Sequence, residues 1–237
     1  MLGTTLLFYL MSTCLLTWHA KIVRADTTLT NGGFESPLGA SFAAVLDPVP
    51  PTFGAWGAES GSVVGPENGI TPFAGSSMLR LNGIGGVVTQ VVQRVDVSSQ
   101  ASDIDAGQVL VSVEALFNAP DFVPAAVAGI NISFINDGPF TDDFNIALSN
   151  SIGSATTSSV IDNDPLDWEP LSIDDFFVPA GTRSLVVEFN YSNASLGLDP
   201  GYVDAATLSI TTVPEPSGCV LLTTLLLGYL SRQHRKV

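Results

Sequence analysis

The sequence predicts an all-β protein, with one two-sheet antiparallel sandwich spanning residues 26–212. Glycine and proline are frequent, with 22 and 15 copies in 237 residues. No long stretch carries a clean helical stripe of apolar side chains, whereas short β-branched runs recur between Gly, Asn, Asp and Pro. This pattern is typical of antiparallel strands joined by turns, and about ten such runs suit two packed sheets.

Each β-branched run is interpreted as one strand. In chain order the predicted strands are 27–30, 62–64, 77–81, 86–97, 108–117, 130–135, 144–152, 169–173, 184–189 and 202–211. In the fifth of these, Val109 and Val111 alternate with Leu110, and both faces are largely apolar. A strand that is apolar on both faces suits the middle of a sheet, so we expect this one to be central.

The composition of the domain excludes several kinds of chemistry. Between Asp26 and Val213 there are three arginines, 22 acidic residues and no Lys, His or Cys, a formal charge of −19. These counts exclude a Ser-His-Asp triad, a cysteine nucleophile, a Schiff-base lysine and a zinc site with His or Cys ligands. Nucleic acid is also excluded as a partner, since no basic patch could displace counterions from phosphates.

The N-terminus has the pattern of a targeting segment. An apolar run covers residues 2–18, and Ala25 then offers a small residue before a cut at Asp26. The sequence therefore predicts a secretory signal peptide over residues 1–25, with an N-terminal signal helix. An uncleaved signal anchor is the alternative, because the positive residues Lys21 and Arg24 follow the apolar run instead of preceding it.

The C-terminus, residues 213–237, combines a Pro-rich hinge, a short apolar run and a basic end. The hinge and the basic end contain Pro214, Glu215, Pro216, Arg232, Arg235 and Lys236. This arrangement resembles the PEP-CTERM sorting signal of exported bacterial proteins. The resemblance implies export, membrane docking through a short transmembrane helix, and cleavage near Pro-Glu-Pro by an exosortase-type protease. The product would then reach the cell surface or the extracellular matrix; a plain tail anchor is the alternative.

A second resemblance concerns the two ends of the domain. The segments Asn-Gly-Gly-Phe-Glu at 31–35 and Gly-Tyr-Val-Asp-Ala-Ala-Thr-Leu at 201–208 resemble the opening and closing strands of galactose-binding-like jelly rolls. Many carbohydrate-binding modules share that fold. The resemblance implies a two-sheet antiparallel jelly-roll sandwich, flanked here by the N-terminal signal helix and the short C-terminal apolar helix. The sequence departs from the family at Ala205, where members often carry a second Asp.

The same resemblance implies a structural calcium ion. Its ligands would be Glu35 and Asp204, together with main-chain carbonyls of residues 31–33, which are the hard oxygen donors that calcium takes. The ion would hold the first strand to the last and would take no part in catalysis. The alternative is that Glu35 bonds loop amides and Asp204 is a turn residue.

The aromatic residues are weighed as sugar-stacking platforms. Trp168 and Tyr191 lie near loop-like segments and are the candidates for sugar binding, whereas Trp56 is expected to pack in the core. The acidic run at 162–169 is interpreted as a solvated loop, with a second calcium loop as the alternative.

The sequence thus predicts an exported, non-catalytic surface or matrix protein that binds polysaccharide through a concave face or a loop end of the sandwich. A structural or adhesive protein without a discrete ligand is the alternative. A hydrolase is a third hypothesis, since carboxylate pairs are plentiful, but chance produces such pairs in a domain this acidic.

Overall fold

The computed structural model describes residues 23–25, 29–38, 40–41, 53–58, 60–82, 88–123, 126–136, 150–193 and 199–213. The predicted signal helix and the predicted sorting signal from Pro214 onward, including its apolar helix and basic tail, lie outside the described residues. Among the residues described, no helix is both long and apolar enough to cross a membrane. Residues Arg24–Thr211 form one compact unit, and this unit contains the sandwich.

Strands dominate the described part of the chain, with one short helix after the sixth strand. The strands are β1 (Val23–Ala25), β2 (Ala40–Ser41), β3 (Trp56–Ala58), β4 (Gly61–Val64), β5 (Met78–Asn82), β6 (Thr89–Asp96), β7 (Val109–Asn118), β8 (Val127–Ile135), β9 (Ser151–Val160), β10 (Glu169–Phe177), β11 (Ser184–Ser192) and β12 (Pro200–Thr212). A 3-10 turn (Ser98–Gln100) leads into helix α1 (Ala101–Asp105) between β6 and β7.

The strands form two sheets with jelly-roll topology. The first sheet has the order β10-β7-β12-β5-β4, with β1 paired to β12, and the second has the order β2-β3-β6-β11-β8-β9. Four nested antiparallel pairs, β5·β12, β6·β11, β7·β10 and β8·β9, alternate between the sheets. A long hairpin rolled over itself produces this nesting, so the predicted jelly-roll sandwich is confirmed. The short β2–β3 pairing is parallel.

Alternation along the strands builds the core between the sheets. In β7, Val109, Val111 and Val113 point inward and are buried, whereas Glu114 is exposed. Strand β7 lies between β10 and β12, which confirms its predicted position inside a sheet. Inward residues of β8 and β11 complete the same core: Ala128, Ile130, Ile132, Phe134, Leu185, Val187, Phe189 and Tyr191.

Four strands differ from the prediction. The prediction missed β1, β2 and β3, each of two or three residues, and β1 lies at the end of the predicted signal peptide, residues 1–25. It also missed most of β9, where only residues 151–152 fall inside the predicted strand 144–152. Ala155 is the one fully buried side chain of β9, because the strand lies at the sheet edge and is held by pairing with β8. Apolar burial is the signal that sequence periodicity reads, and β9 has little of it. Of the predicted strand 27–30, the described residues 29–30 lead into a turn.

Candidate functional site

The β4–β5 loop, residues 65–77, is the segment on which the predicted site residues converge. The exposed carboxylate of Glu35 binds the C-terminal part of this loop. Glu35 Oε1 accepts hydrogen bonds from the backbone N–H groups of Ser76 (2.9 Å) and Ser77 (3.2 Å), and Oε2 accepts one from Ser76 Oγ (2.8 Å). The hydroxyl and the two amides favour the ionised carboxylate and therefore lower the pKa of Glu35.

Asp204, on β12, binds the middle of the same loop. Its Oδ2 accepts the backbone N–H groups of Phe73 (2.8 Å) and Ala74 (3.2 Å), and its Oδ1 accepts that of Ala205 (2.6 Å). The side chain is fully buried. Burial raises the pKa of Asp204, and repulsion from the Glu35 carboxylate adds to the rise.

The two carboxylates therefore join the start of the domain to its last strand through one loop. Their oxygens are of the type that calcium takes, and each carboxylate already accepts three hydrogen bonds. In the described part of the chain, no group of three or more His, Cys, Asp or Glu side chains is placed to hold a metal ion. A calcium ion at Glu35 and Asp204 would thus need loop carbonyls and water for most of its six to eight ligands.

Two glycines allow the backbone to pass close to Glu35 and to β12. Gly75 has a φ of +67°, and a methyl group added to it would lie 2.0 Å from Glu35 Oε1. Gly32 accepts a hydrogen bond from the Ala206 amide at 2.9 Å, and a methyl group at Gly32 would lie 2.1 Å from the Ala206 carbonyl oxygen. Glycine is thus required at both positions, and Gly32 belongs to the 31–35 motif.

Trp168 packs against the β4–β5 loop. Its indole N–H donates to the Thr71 carbonyl at 3.0 Å, and its half-buried ring packs against a small cluster formed by Ile70, Met78 and Tyr202. The predicted sugar-binding residue thus lies at the same loop as Glu35 and Asp204. One part of its ring remains accessible to solvent.

Tyr202 and Glu67 form a polar cluster beneath this loop that sequence reasoning missed. The Tyr202 hydroxyl donates to Glu67 Oε1 at 2.9 Å, and Asn68 donates to the same hydroxyl at 2.6 Å. Arg80 lies 3.2 Å from Glu67 Oε1 and neutralises its charge. Burial raises the pKa of Tyr202, so the phenol stays protonated at neutral pH. The cluster therefore fastens the loop to β5 and β12.

Tyr191 corrects the second sugar-binding prediction. Its ring is fully buried in the main core, because β11 turns this side chain toward the same inner face of the sheet as Phe189. Burial raises the pKa of Tyr191 to about 12. A ring with no exposed face cannot stack on a sugar, so Tyr191 serves packing. Trp56 packs in the core as expected, with ring centroids 5.3 Å from Phe34 and 5.7 Å from Phe189.

Three exposed apolar side chains lie on loops near Trp168, and the sequence analysis did not single them out. Phe73 in the β4–β5 loop is 58% exposed, Phe122 56% and Leu166 85%. Their loops touch, since Gly69 lies against Pro165 and the Asn163 side chain donates to the Val123 carbonyl. Together Phe73, Phe122, Leu166 and Trp168 form what we call the aromatic end of the sandwich.

Apart from Arg80, which is paired with Glu67, the charges at the aromatic end are negative. Its acidic residues are Glu67, Asp121, Asp162, Asp164, Asp167 and Glu169. The Asp162 and Asp164 side chains each accept a backbone N–H two residues on, at 3.0 Å, so they cap turns in an exposed loop. Burial raises the pKa of Glu169. The surface thus offers apolar rings and hydrogen-bond acceptors, which suit a ligand rich in hydroxyl groups.

The outer face of the second sheet carries a different polar group. Glu188 accepts hydrogen bonds from Asn131 (3.3 Å) and Asn190 (2.9 Å), and Thr156 donates to Asn131 (2.9 Å). Glu188 is only 8% exposed. These side chains use their hydrogen-bonding groups on one another and leave few of them for a ligand. Of the two predicted locations, a sheet face and a loop end, the aromatic end is therefore the stronger candidate.

Comparisons with known proteins show similarity of fold only. No family model and no curated protein matches this chain. Solved structures with similar folds include a family 61 carbohydrate-binding module in complex with β-1,4-galactotriose, at 12% identity over 76% of this chain and 95% of the module, with a TM-score of 0.47. A family 16 carbohydrate-binding module matches at 15% identity over 76% and 97% of the chains, with a TM-score of 0.43. An apo cyclase from Fischerella sp. matches at 10% identity over 82% and 99%, with a TM-score of 0.48. A fold alone assigns no activity to a chain.

Proposed function

We propose that this protein binds a neutral polysaccharide at the aromatic end of its jelly-roll domain. The observation that carries the proposal is Phe73, which is exposed on a loop that Glu35 and Asp204 hold in place. A ring on a loop that is held in place can stack on the apolar face of a pyranose with a smaller loss of freedom than a ring on a mobile loop. Neighbouring carboxylates can accept the hydroxyl protons of the sugar.

The charge distribution supports a neutral glycan over an acidic one. Arg80 is already paired with Glu67 at this end. The remaining arginines of the domain lie at the other end, Arg94 near the end of β6 and Arg183 in the turn before β11. A polyanion would meet a field generated by a formal charge of −19. Repulsion of that size lowers association rates at low ionic strength.

The experiment measures retention of the purified protein by neutral galactan, xylan and β-glucan in affinity electrophoresis, with polygalacturonate as the charged comparison. Phe73→Ala is expected to lower affinity for the retained glycan about ten-fold, which corresponds to about 1.4 kcal/mol. Phe177→Ala is the matched control, because this phenyl group is 60% exposed on the β7–β10 side of the domain. Equal affinity of both variants, or retention by polygalacturonate alone, would contradict the proposal.

The role is proposed to be non-catalytic. Support comes from the absence of Lys, His and Cys between Asp26 and Val213, and from the acidic side chains of the site, which serve as turn caps and loop fasteners. A structural or adhesive protein without a discrete ligand is the alternative. Under that alternative, no glycan would retain the protein in affinity electrophoresis although the domain is folded.

Calcium at Glu35 and Asp204 is part of the proposal as a structural clamp. It is supported by the two carboxylates, one near the start of the domain and one on β12, that bind the same β4–β5 loop. Calcium would supply positive charge between them and would add to the hydrogen bonds of the β4–β5 loop.

Export and sorting are proposed from the two ends of the sequence. The apolar run at 2–18 and the Pro-Glu-Pro hinge, apolar run and basic end over 213–237 support a signal peptide and exosortase-type processing. The mature protein would lie at the cell surface or in the extracellular matrix. Replacing Pro214, Glu215 and Pro216 with Ala is expected to leave the C-terminal tail attached to the exported protein, as read by mass spectrometry. Loss of the tail from this variant would contradict the proposed cleavage.

A further inference from the structure

A cavity of about 250 Å³ lies at the other end of the sandwich from Phe73. Its described lining consists of Phe53, Arg94, Asp96, Ser98, Asn136, Arg183 and Ser184. Asp96, Ser184 and Asn136 stand at the ends of β6, β11 and β8 that are remote from the aromatic end. The nine residues of β8 between the two ends span about 25 Å.

The arginines of this cavity are fixed in place. The Arg94 guanidinium carbon lies 4.0 Å from the centroid of the Phe53 ring, and the Gly54 amide donates to the Arg94 carbonyl at 2.9 Å. Arg183 makes a bidentate pair with Asp105, with N···O distances of 2.7 and 3.0 Å. The Arg183 backbone also bonds to Ile135 (2.8 Å) and Val97 (3.1 Å), which ties β8 to the end of β6.

The chemistry of the lining is mixed and nearly neutral. Asp105 balances Arg183, and Asp96 lies near enough to Arg94 to affect its pKa, which burial lowers. Guanidinium and amide groups donate hydrogen bonds, Asp96 and Asn136 accept them, and the Ser98 and Ser184 hydroxyls do both. A sugar ring carries hydroxyl groups that donate and accept in the same way, and it has an apolar face for Phe53, which is 42% exposed.

The volume limits the ligand to one ring. Sites for drug-sized ligands span about 300–1,000 Å³, so a cavity of this size suits a single pyranose ring. We infer that this arginine-end cavity is a second saccharide site that holds one neutral pyranose unit, such as a chain end. The inference extends the proposed function, because two sites at opposite ends would let one domain link two glycan chains.

NMR titration of the purified protein with methyl β-D-glucopyranoside, methyl β-D-galactopyranoside and methyl β-D-xylopyranoside tests the cavity directly. At least one of these probes is expected to shift the amide signals of Ser98 and Ser184 and the side-chain amide of Asn136. Arg94→Gln should abolish the shifts. Ser98→Leu, which fills the cavity and keeps the arginines, should abolish them as well. Phe177→Ala should retain them.

Shifts in the wild type that persist in both cavity variants would overturn the inference, and so would the absence of shifts with all three probes. The result is separate from that for the aromatic end. Polysaccharide retention without cavity shifts would overturn this inference alone, whereas cavity shifts without retention would support it and contradict the proposed function. If both sites bind, light scattering should show bridging of the retained polysaccharide by the wild type, and Arg94→Gln should abolish the bridging while retaining polymer affinity.

Discussion

At the scale of single residues, backbone conformation explains much of the site. Phe34 and Ala205 have positive φ values of 51° and 50°, and they lie in the two segments that resemble jelly-roll end strands. The left-handed region costs a non-glycine residue about 1–2 kcal/mol, so the surrounding contacts must offset this strain. Phe34 is fully buried against Trp56, and the Ala205 amide is held by Asp204.

Replacing Ala205 with Gly is expected to raise the free energy of unfolding by about 1 kcal/mol, because glycine adopts positive φ without steric cost. Urea unfolding followed by tryptophan fluorescence measures the change. Ala206→Gly is the control, since Ala206 is 6% exposed and is absent from the positive-φ residues. It should lower stability by about 1 kcal/mol. Equal losses in both variants would show that Ala205 is not strained.

Gly75→Ala is expected to lower the free energy of unfolding by about 1–3 kcal/mol more than Gly107→Ala. Both glycines have positive φ, +67° and +70°, but a methyl group at Gly107 meets nothing within 4 Å. The difference between the variants therefore isolates the clash with Glu35, which would displace its hydrogen bonds to the loop. Urea unfolding of both variants measures it. Equal destabilisation would mean that Glu35 moves aside without cost.

At the scale of secondary-structure elements, a few side chains connect segments that the sheets leave apart. Helix α1 is attached to the turn before β11 by the Asp105–Arg183 pair, and the Gly181 amide also donates to Asp105 at 2.9 Å. The edge strand β10 carries Pro170 and a register shift between Ile173 and Phe176, where Asp175 has a positive φ. Such features protect an edge strand from pairing with other chains.

The Asp105–Arg183 pair predicts a pH dependence of stability. The hydrogen bond from Arg183 is the main reason that the pKa of Asp105 is lowered below 3.8. The folded state favours the ionised Asp105 carboxylate. Its contribution to the free energy of unfolding is therefore complete at pH values above the pKa that Asp105 has in the unfolded chain, and it is lost as the pH falls through the pKa of Asp105 in the folded protein. The stability difference between wild type and Asp105→Asn should therefore be present at pH 6 and vanish toward pH 2. Urea unfolding across this range measures it, and a difference that grows toward low pH would contradict the prediction.

At the scale of the whole molecule, the two ends of the jelly roll carry different kinds of surface. The aromatic end gathers exposed rings and carboxylates, whereas the other end gathers Arg94 and Arg183 around Phe53. One core of inward residues from both sheets separates the two ends and keeps each in place. This division would allow one small domain to offer the two proposed ligand sites.

Calcium should raise the thermal unfolding midpoint of the whole domain if the proposed clamp forms. A ligand at 100 times its dissociation constant adds about 2.7 kcal/mol to the free energy of unfolding. The measurement compares millimolar calcium with excess EGTA in wild type and in Glu35→Ala, with Glu114→Ala as an exposed carboxylate control. A rise in wild type and in Glu114→Ala that is lost in Glu35→Ala is expected. The same midpoint with calcium and EGTA in wild type would show that hydrogen bonds alone hold the loop.

The sequence by itself determined the fold class, most of the strands and the chemistry that the domain lacks. These follow from local pattern and composition: alternation in β7, turn residues between runs, and the absence of Lys, His and Cys. The paired motifs also led to Glu35 and Asp204, which the structure brings to one loop.

Only the tertiary structure decided which aromatic residues face solvent and which arginines meet. Tyr191 and Phe73 have similar apolar character, but β11 turns the first into the core while the β4–β5 loop holds the second outside. Arg94 lies on β6 and Arg183 immediately precedes β11, and these two strands are distant in sequence and adjacent in the sheet. Exposure and long-range neighbours depend on how the sheets stack and how the loops close, and a local sequence pattern carries no record of either.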